Sequence, residues 1–133
     1  MLSLYGLILK EKEVIVVNML EPLDVLKEDL NNCRQMLNAI GNKTRLGIIS
    51  TLFEINCKGM RVGEIAQYSQ LSRPAVSHHL KILFDAEVVG RYRKGTRNYY
   101  YMKLGGSWQK FVGLVNEIER LRLEELEELK KED

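Results

Sequence analysis

Residues 61–103 contain, in a fixed order, three patterns that strongly restrict how this chain can fold. Ile65 and Ala66 lie in a short apolar stretch that predicts a helix, and Leu71-Ser72-Arg73-Pro74 predicts a tight turn leading into a second helix. The run Arg91-Tyr92-Arg93-Lys94-Gly95-Thr96-Arg97 predicts a two-stranded ribbon with a cationic tip. Together, these patterns predict a helix-turn-helix followed by a β-wing, which is a winged-helix domain.

The rest of the chain supplies further helices for the same domain. Pro22 suits the first turn of a helix, and apolar residues then recur at spacings of three and four up to Ile40, before Gly41. This pattern predicts one continuous helix. The expected elements are a first helix over 22–40, a second capped by Asn42, a third over about 62–69, a fourth over about 72–85, strands at about 88–93 and 97–103, and a last helix capped by Ser107. We therefore expect a mainly α fold with a small β-ribbon, made of five helices and a β-wing in a dimer.

The length of 133 residues suits one domain without a separate catalytic domain. We expect residues 21–133 to form the winged-helix domain, with its first and last helices at a dimer interface. Residues 1–20 are expected to form an N-terminal arm, and the sequence leaves open whether it is a β-hairpin, a loosely docked arm or an extension upstream of a start at Met19.

The catalytic patterns that a short chain can carry are missing from this sequence. It contains no Gly-rich phosphate loop, no His-Glu-x-x-His and no Ser/His/Asp arrangement with supporting context. The paired carboxylates near the C-terminus belong to a charged helix without a predicted pocket. We therefore predict that the protein is not an enzyme.

The net charge of +2 is distributed unevenly along the chain. Residues 73–103 carry seven basic and two acidic side chains, whereas residues 117–133 carry four basic and eight acidic ones. The near-neutral total therefore conceals a basic surface over the predicted helix-turn-helix and wing, together with an acidic tail.

The cellular compartment is inferred from the cysteines and the apolar runs. Cys33 and Cys57 make no disulfide framework, which suits a reducing environment. The apolar stretch Leu2–Leu9 is followed at once by the charged residues Lys10-Glu11-Lys12-Glu13, unlike a signal peptide, and the sequence contains no transmembrane run. We expect a cytoplasmic protein without membrane contact.

The predicted fourth helix presents polar and cationic side chains opposite its apolar face. A helix of this kind can enter the major groove of DNA, and the wing can hold neighbouring phosphates through its cations. The candidate DNA-binding residues are Ser72, Arg73, Ser77, His78 and Lys81 on the helix and Arg91, Arg93, Lys94 and Arg97 on the wing.

Four segments of the chain resemble a known family. They are Leu37-Asn38-Ala39-Ile40-Gly41-Asn42-Lys43-Thr44-Arg45-Leu46, Val62-Gly63-Glu64-Ile65-Ala66, Leu71-Ser72-Arg73-Pro74-Ala75-Val76-Ser77-His78-His79-Leu80-Lys81-Ile82-Leu83 and Val88-Val89. They are similar to the ArsR/SmtB winged-helix repressors over about residues 22–120. The resemblance implies a homodimeric transcriptional repressor of bacteria or archaea that leaves its operator DNA when an effector binds.

The resemblance also implies that the first and last helices form the dimer interface. Their apolar positions exceed what one small core needs, which favours the same conclusion. For Trp108, lining an effector pocket is the alternative. The expected interface residues are Leu23, Leu26, Leu30 and Cys33 in the first helix and Trp108, Phe111, Val115 and Ile118 in the last.

The chain lacks the cysteine and histidine ligands that would be expected if it resembled the metal sensors of this family. The third predicted helix contains no cysteine, residues 107–133 contain no histidine, and His78 and His79 are the only histidines. Because a zinc or thiophilic metal site needs three or four converging ligands, we expect no metal site and no cofactor. Cys33 is expected to be a small buried hydrophobic residue, with a redox pair between Cys33 and Cys57 as the alternative.

Two functions are compatible with these patterns. The first is a sequence-specific DNA-binding transcriptional regulator, a repressor whose effector is a small molecule, a redox signal or a partner. The alternative is a winged-helix module that binds protein and not DNA, since a fold alone does not determine function. The six cations on the predicted groove and wing side favour the first, because a protein-docking surface has no need of them.

Overall fold

A computed structural model describes residues 23–54 and 58–132 of the chain. The predicted N-terminal arm and Cys57 lie outside the described residues. The described elements are helices α1 (23–32), α2 (Arg34–Ile40), α3 (Lys43–Glu54), α4 (Val62–Ser69), α5 (Arg73–Asp85) and α6 (Ser107–Lys131), with strands β1 (Val89–Lys94) and β2 (Arg97–Met102) between α5 and α6. Cys33–Val112 form one compact unit, and the described residues on either side, 23–32 and 113–132, belong to a second.

The predicted first helix is divided into two helices at Cys33. The backbone of Cys33 has φ −91° and ψ −1°, at the edge of the right-handed helical region. Its carbonyl accepts the backbone N–H of Leu37 at 2.8 Å, so α2 begins directly after it. A change at this single residue leaves the apolar spacing unchanged, and the sequence therefore predicts one helix where the described residues contain two.

The unit Cys33–Val112 has a core built from helices α2 to α5 and the start of β1. Val76, Leu80 and Leu83 of α5 are each fully buried, which confirms the predicted inner face of this helix. Trp108 and Phe111 are partly buried and pack against the same core. The buried cluster comprises Met36, Ala39, Ile48, Ile49, Leu52, Met60, Ile65, Ala66, Val76, Leu80, Leu83, Ala86, Val88 and Val89.

Two of the three predicted helix caps are confirmed. The side chain of Asn42 accepts the backbone N–H of Arg45 at 3.0 Å, and that of Ser72 accepts the N–H of Ala75 at 3.2 Å. The prediction that Ser107 caps α6 is wrong. Ser107 is the first helical residue, and its hydroxyl donates to the Ala86 carbonyl at 2.5 Å, which joins the start of α6 to the end of α5.

The two strands form an antiparallel hairpin with a two-residue turn at Gly95 and Thr96. Gly95 has φ +64°, a conformation that glycine adopts without strain at the first central position of a type II′ turn. At the other end of the hairpin, Met60 exchanges two backbone hydrogen bonds of 2.8 Å with Tyr100. Met60, which lies between the predicted second and third helices, therefore adds a short third pairing to the base of the wing.

Candidate nucleic-acid interface

The turn between α4 and α5 is three residues long. Glu64 accepts hydrogen bonds from the backbone N–H of Arg61 at 3.3 Å and from its Nε at 2.9 Å, which stabilises the start of α4. Gln70 then takes a left-handed conformation (φ +56°), and the N–H of Leu71 donates to the Ala66 carbonyl at 3.2 Å. Ser72 then caps the start of α5. Hydrogen bonds therefore stabilise the turn of the helix-turn-helix at both of its ends.

The structure brings the five predicted helix residues to the exposed side of α5. Arg73, Ser77 and Lys81 follow one another at spacings of four, so they lie in one row along the helix. His78 adjoins this row, and Ser72 precedes it at the cap. All five side chains are exposed, in contrast to the buried inner face. This row is the surface of the motif that is available to a ligand.

The four predicted wing cations are all exposed but differ in their contacts. The Arg91 guanidinium lies 4.6 Å from the ring centre of Phe84, a cation–π contact that joins the wing to the end of α5. Arg93 donates from Nε to the Gly95 carbonyl at 3.1 Å and so folds back on the turn. Lys94 and Arg97 face each other across the turn. The tip of the wing therefore carries the cations with the fewest intramolecular contacts.

Tyrosines cover one face of the hairpin. The rings of Tyr92 and Tyr99 stack at 5.2 Å with an angle of 8° between their planes, and the ring of Tyr101 lies over Gly90. The Tyr92 hydroxyl also donates to the Lys58 carbonyl at 2.5 Å. This packing holds the two strands together independently of the wing cations, as is usual for cross-strand aromatic pairs.

Arg45 is a residue whose role the sequence did not reveal. Its Nε donates to the Ala39 carbonyl at 2.5 Å and its Nη2 to the Asn38 carbonyl at 3.4 Å, so it binds the last turn of α2. Its Nη1 lies 3.3 Å from Nδ1 of His79, on α5. Because a guanidinium only donates, a hydrogen bond here requires Nδ1 as the acceptor, a role that Nδ1 has only in a neutral imidazole. Arg45 thus links α2 and α3 to the recognition motif.

The environment of His79 lowers its pKa below the ordinary value of a histidine. Partial burial is the largest cause, followed by the positive charges of Arg45 and His78. As pH falls through about 6.5, the unfolded chain binds a proton before folded His79 does. We therefore expect the midpoint of urea unfolding to decrease between about pH 7.5 and 5.5, a range above the main titration of the carboxylates.

The matched variants for this pH dependence are His79→Gln and His78→Gln. The decrease of the urea midpoint with falling pH should be smaller in His79→Gln and should persist in His78→Gln. All three proteins are measured at one fixed protein concentration. A decrease of the same size in the wild type and in His79→Gln would contradict this role of His79.

A groove of about 810 Å³ lies between α4, α5 and β2. Three arginines line it, one from each side: Arg61 before α4, Arg73 on α5 and Arg97 on β2. Arg73 packs so closely on Gly63 that a Cβ there would lie 3.0 Å from its guanidinium nitrogen. Among the described residues of the lining, Glu64 is the one carboxylate, and the pKa of Glu64 is lowered, mainly by its hydrogen bond from Arg61. The other lining residues are Val62, Gly63, Ala66, Gln67, Leu71, Ser77, Asn98 and Tyr100.

The predicted dimer residues differ in exposure within the single chain. Cys33 is buried and Leu26 is half-buried. Trp108 donates from its indole nitrogen to the Val88 carbonyl at 3.0 Å, and its ring contacts Phe53. Trp108 therefore packs against the core of its own chain. The exposed predicted residues are Leu23, Leu30, Val115 and Ile118, and α6 also exposes Val112, Leu123, Leu126 and Leu129.

The described residues contain neither a cluster of metal ligands nor a helix that could span a membrane. Within 23–54 and 58–132, no three histidine, cysteine or acidic side chains lie together as a metal ion requires. No helix in this part of the chain has the length and apolar character needed to cross a membrane.

Comparison with known proteins identifies the family. Residues 42–90, from the cap of α3 to the start of β1, match the family described as bacterial regulatory protein, arsR family. The chain is 42% identical over 67 residues to the transcriptional repressor SdpR of Bacillus subtilis (strain 168), over 49% of this chain and 69% of that protein. It is 32% identical over 91 residues to an uncharacterized HTH-type transcriptional regulator of Methanocaldococcus jannaschii, over 68% of this chain and 99% of that protein. The chain belongs to the ArsR family.

Solved structures agree with the fold of this ArsR-family protein. The solution structure of a homodimeric winged helix-turn-helix DNA-binding domain of Mycobacterium bovis, described as a possible ArsR-family transcriptional regulator, superposes with a TM-score of 0.53. The sequence identity is 26%, over 72% of this chain and 85% of that one. The predicted winged helix-turn-helix fold is therefore confirmed.

Proposed function

We propose that this ArsR-family protein is a homodimeric transcriptional repressor that binds operator DNA through α5 and the wing and releases it when an effector binds. The observation that carries the proposal is the exposed row on α5, whose opposite face is fully buried. A helix in this position can enter the major groove while its buried face holds it to the domain. Membership in a family of regulatory proteins supports this function over the protein-binding alternative.

The residues of α5 are proposed to read the operator. Arg73 lies in the first turn of the helix, and arginine suits a bidentate contact with guanine. Ser77 and His78 follow on the exposed side and can donate or accept hydrogen bonds at base edges. Lys81 adds a charge further along the row, where a phosphate contact is expected.

The dimer is proposed to form through α1 and α6. Both helices expose leucine and valine side chains, and α6 also exposes Ile118, so a second copy can cover these apolar residues. A two-fold axis would present two copies of α5 to half-sites about 10–10.5 base pairs apart. Residues 21–133 then form one winged-helix domain whose first and last helices lie at this interface.

The wing is proposed to contact the DNA backbone. In the variant in which both Arg93 and Lys94 are replaced by alanine, we expect weaker binding to all DNA sequences by a similar factor, because phosphate contacts carry no base code. The slope of log affinity against log salt should become shallower by roughly 1–2 units for each protomer bound, because every lost phosphate contact reduces the number of counterions released on binding. Fluorescence anisotropy with labelled duplexes at several salt concentrations measures both effects.

The matched control is the double replacement of Lys130 and Lys131 by alanine at the end of α6, which removes the same charge outside the wing. This control should keep the wild-type slope to within about half a unit, if only local phosphate contacts set it. An equal change of slope in both double variants would mean that net charge, and not the wing, determines the affinity.

A further inference from the structure

The arginine-lined groove between α4, α5 and β2 is the starting point of this inference. Its arginines come from three separate places in the chain, and the described residues of the lining include one carboxylate, Glu64, so together they carry a net positive charge. At about 810 Å³, its size falls within the range of small-molecule sites. A cationic groove of this size favours an anionic ligand.

Arg61 is held in the groove by Glu64 without losing its capacity to bind an anion. The contact between them uses Nε of Arg61 at 2.9 Å, so it does not occupy the two Nη groups. A guanidinium whose Nε is already fixed loses less freedom when its Nη groups bind a ligand. Glu64 therefore orients Arg61 as well as stabilising the start of α4.

The remaining lining suits an anion with several oxygen atoms. The Ser77 hydroxyl and the Asn98 amide can each donate a hydrogen bond, and Arg97 enters from the wing. A phosphate group presents more acceptor sites than a carboxylate, and arginine binds phosphate in the same forked geometry. Val62, Leu71 and neighbouring apolar residues also line the groove, so the organic part of a phosphate ester could pack there.

We propose that this groove is a binding site for one phosphate group, held between Arg61 and Arg97. The phosphate can belong to the DNA backbone, in which case the site rests on the proposed function and extends the protein–DNA contact to the start of α4. It can also belong to a free phosphate ester. A free ester in the groove would lie beside Arg73 and Ser77 and would compete with DNA for the same side chains.

The first arm of the test contains no DNA. Inorganic phosphate is titrated into the full chain at constant ionic strength, with chloride as the balancing anion, and the arginine Nε–H signals are followed by NMR. The wild type should show saturable shifts. Arg61→Gln and Arg97→Gln should each weaken phosphate binding about fivefold or more, because each removes charge-assisted hydrogen bonds.

The control variant is Arg122→Gln on α6. Arg122 forms an ion pair with Glu119 at 2.6 Å, three residues away, as Arg61 does with Glu64. The control therefore loses the same charge and the same kind of pair without altering the groove. Arg97→Gln leaves the Arg61–Glu64 pair in place, so it tests the groove even where Arg61→Gln reduces stability, and thermal unfolding of each variant monitors the fold.

The second arm uses DNA duplexes in which one phosphate at a time is replaced by a neutral methylphosphonate. If the groove binds the backbone, one position should weaken wild-type binding about fivefold, and the same replacement should cost the Arg97→Gln variant less than about twofold. If the groove binds a free ester, inorganic phosphate should displace DNA from the wild type more effectively than from Arg97→Gln, with no such position in the duplex.

The outcomes separate this proposal from the proposed function. Phosphate shifts that do not saturate, or that are equal in Arg97→Gln and Arg122→Gln, together with no coupling to any methylphosphonate, overturn the phosphate site while DNA binding stands. A protein that binds phosphate in the groove but binds no duplex overturns the repressor function and retains the site.

Discussion

Replacing Arg73 by alanine is expected to weaken binding to operator DNA by about 1–3 kcal/mol, roughly 5- to 150-fold. The physical reason is the position of Arg73 in the first turn of α5, on the exposed side of a helix whose opposite face is buried. Loss of a bidentate guanine contact also relaxes the preference at one base pair. Anisotropy titrations with the operator and with a set of single-base variants measure the affinity and the preference together.

Two further variants make the Arg73 result specific. Arg122→Ala removes an exposed arginine outside α5 and the wing and should retain the wild-type affinity within about twofold. Gly63→Ala keeps every charge but places a Cβ 3.0 Å from the Arg73 guanidinium, so the Arg73 side chain must shift by a few tenths of an ångström from its present position over α4. If Arg73 leaves the groove to read a base, Gly63→Ala should bind as tightly as the wild type.

A different pattern would contradict the assignment of Arg73 to a base. Unchanged affinity in Arg73→Ala would remove it from the interface. Equal weakening on every sequence, accompanied by weakening in Gly63→Ala, would place Arg73 on a backbone phosphate together with Arg61 and Arg97.

Replacing Leu80 by alanine is expected to lower the free energy of unfolding by about 2–5 kcal/mol. Leu80 is fully buried on the inner face of α5, where its side chain packs between the helices of the core. Truncation loses the transfer free energy of the removed carbon atoms and leaves a cavity that close-packed neighbours fill only in part. Urea unfolding followed by circular dichroism, at a fixed protein concentration, measures the change.

Leu104→Ala is the matched control, because Leu104 is 56% exposed in the segment before α6. This variant should change the free energy of unfolding by less than about 0.5–1 kcal/mol. Leu80→Ala should also weaken DNA binding, since α5 loses part of the contact that holds it against the domain. Equal stability losses in the two variants would mean that the inner face of α5 does not carry the core.

The elements that were predicted correctly are those that depend on neighbours in the sequence. Asn42 and Ser72 cap their helices through backbone groups three residues away. The period of α5 separates Val76, Leu80 and Leu83 from the exposed row, and Gly95 permits the tight turn of the wing. These interactions span a few residues, so residue type and spacing are sufficient to predict them.

Two of the incorrect predictions concern residues whose hydrogen-bond partners lie far away in the sequence. Ser107 has the composition of a cap, but its hydroxyl donates to Ala86, 21 residues away. Met60 lies between two predicted helices, where no strand was predicted, yet it pairs with Tyr100, 40 residues away. Cys33 interrupts a helix without altering the apolar spacing that predicted one.

The class of fold, the helix-turn-helix, the wing and the exposed and buried faces of α5 follow from residue type and spacing, because periodicity, caps and turns are local properties. Three long-range arrangements follow from the packing of the folded chain: Arg45 joins α2 to His79, Arg91 lies on Phe84, and three arginines from separate places in the chain meet at one groove. A guanidinium has several possible partners within reach of its long side chain. Its choice among them depends on which surfaces the folded chain brings together.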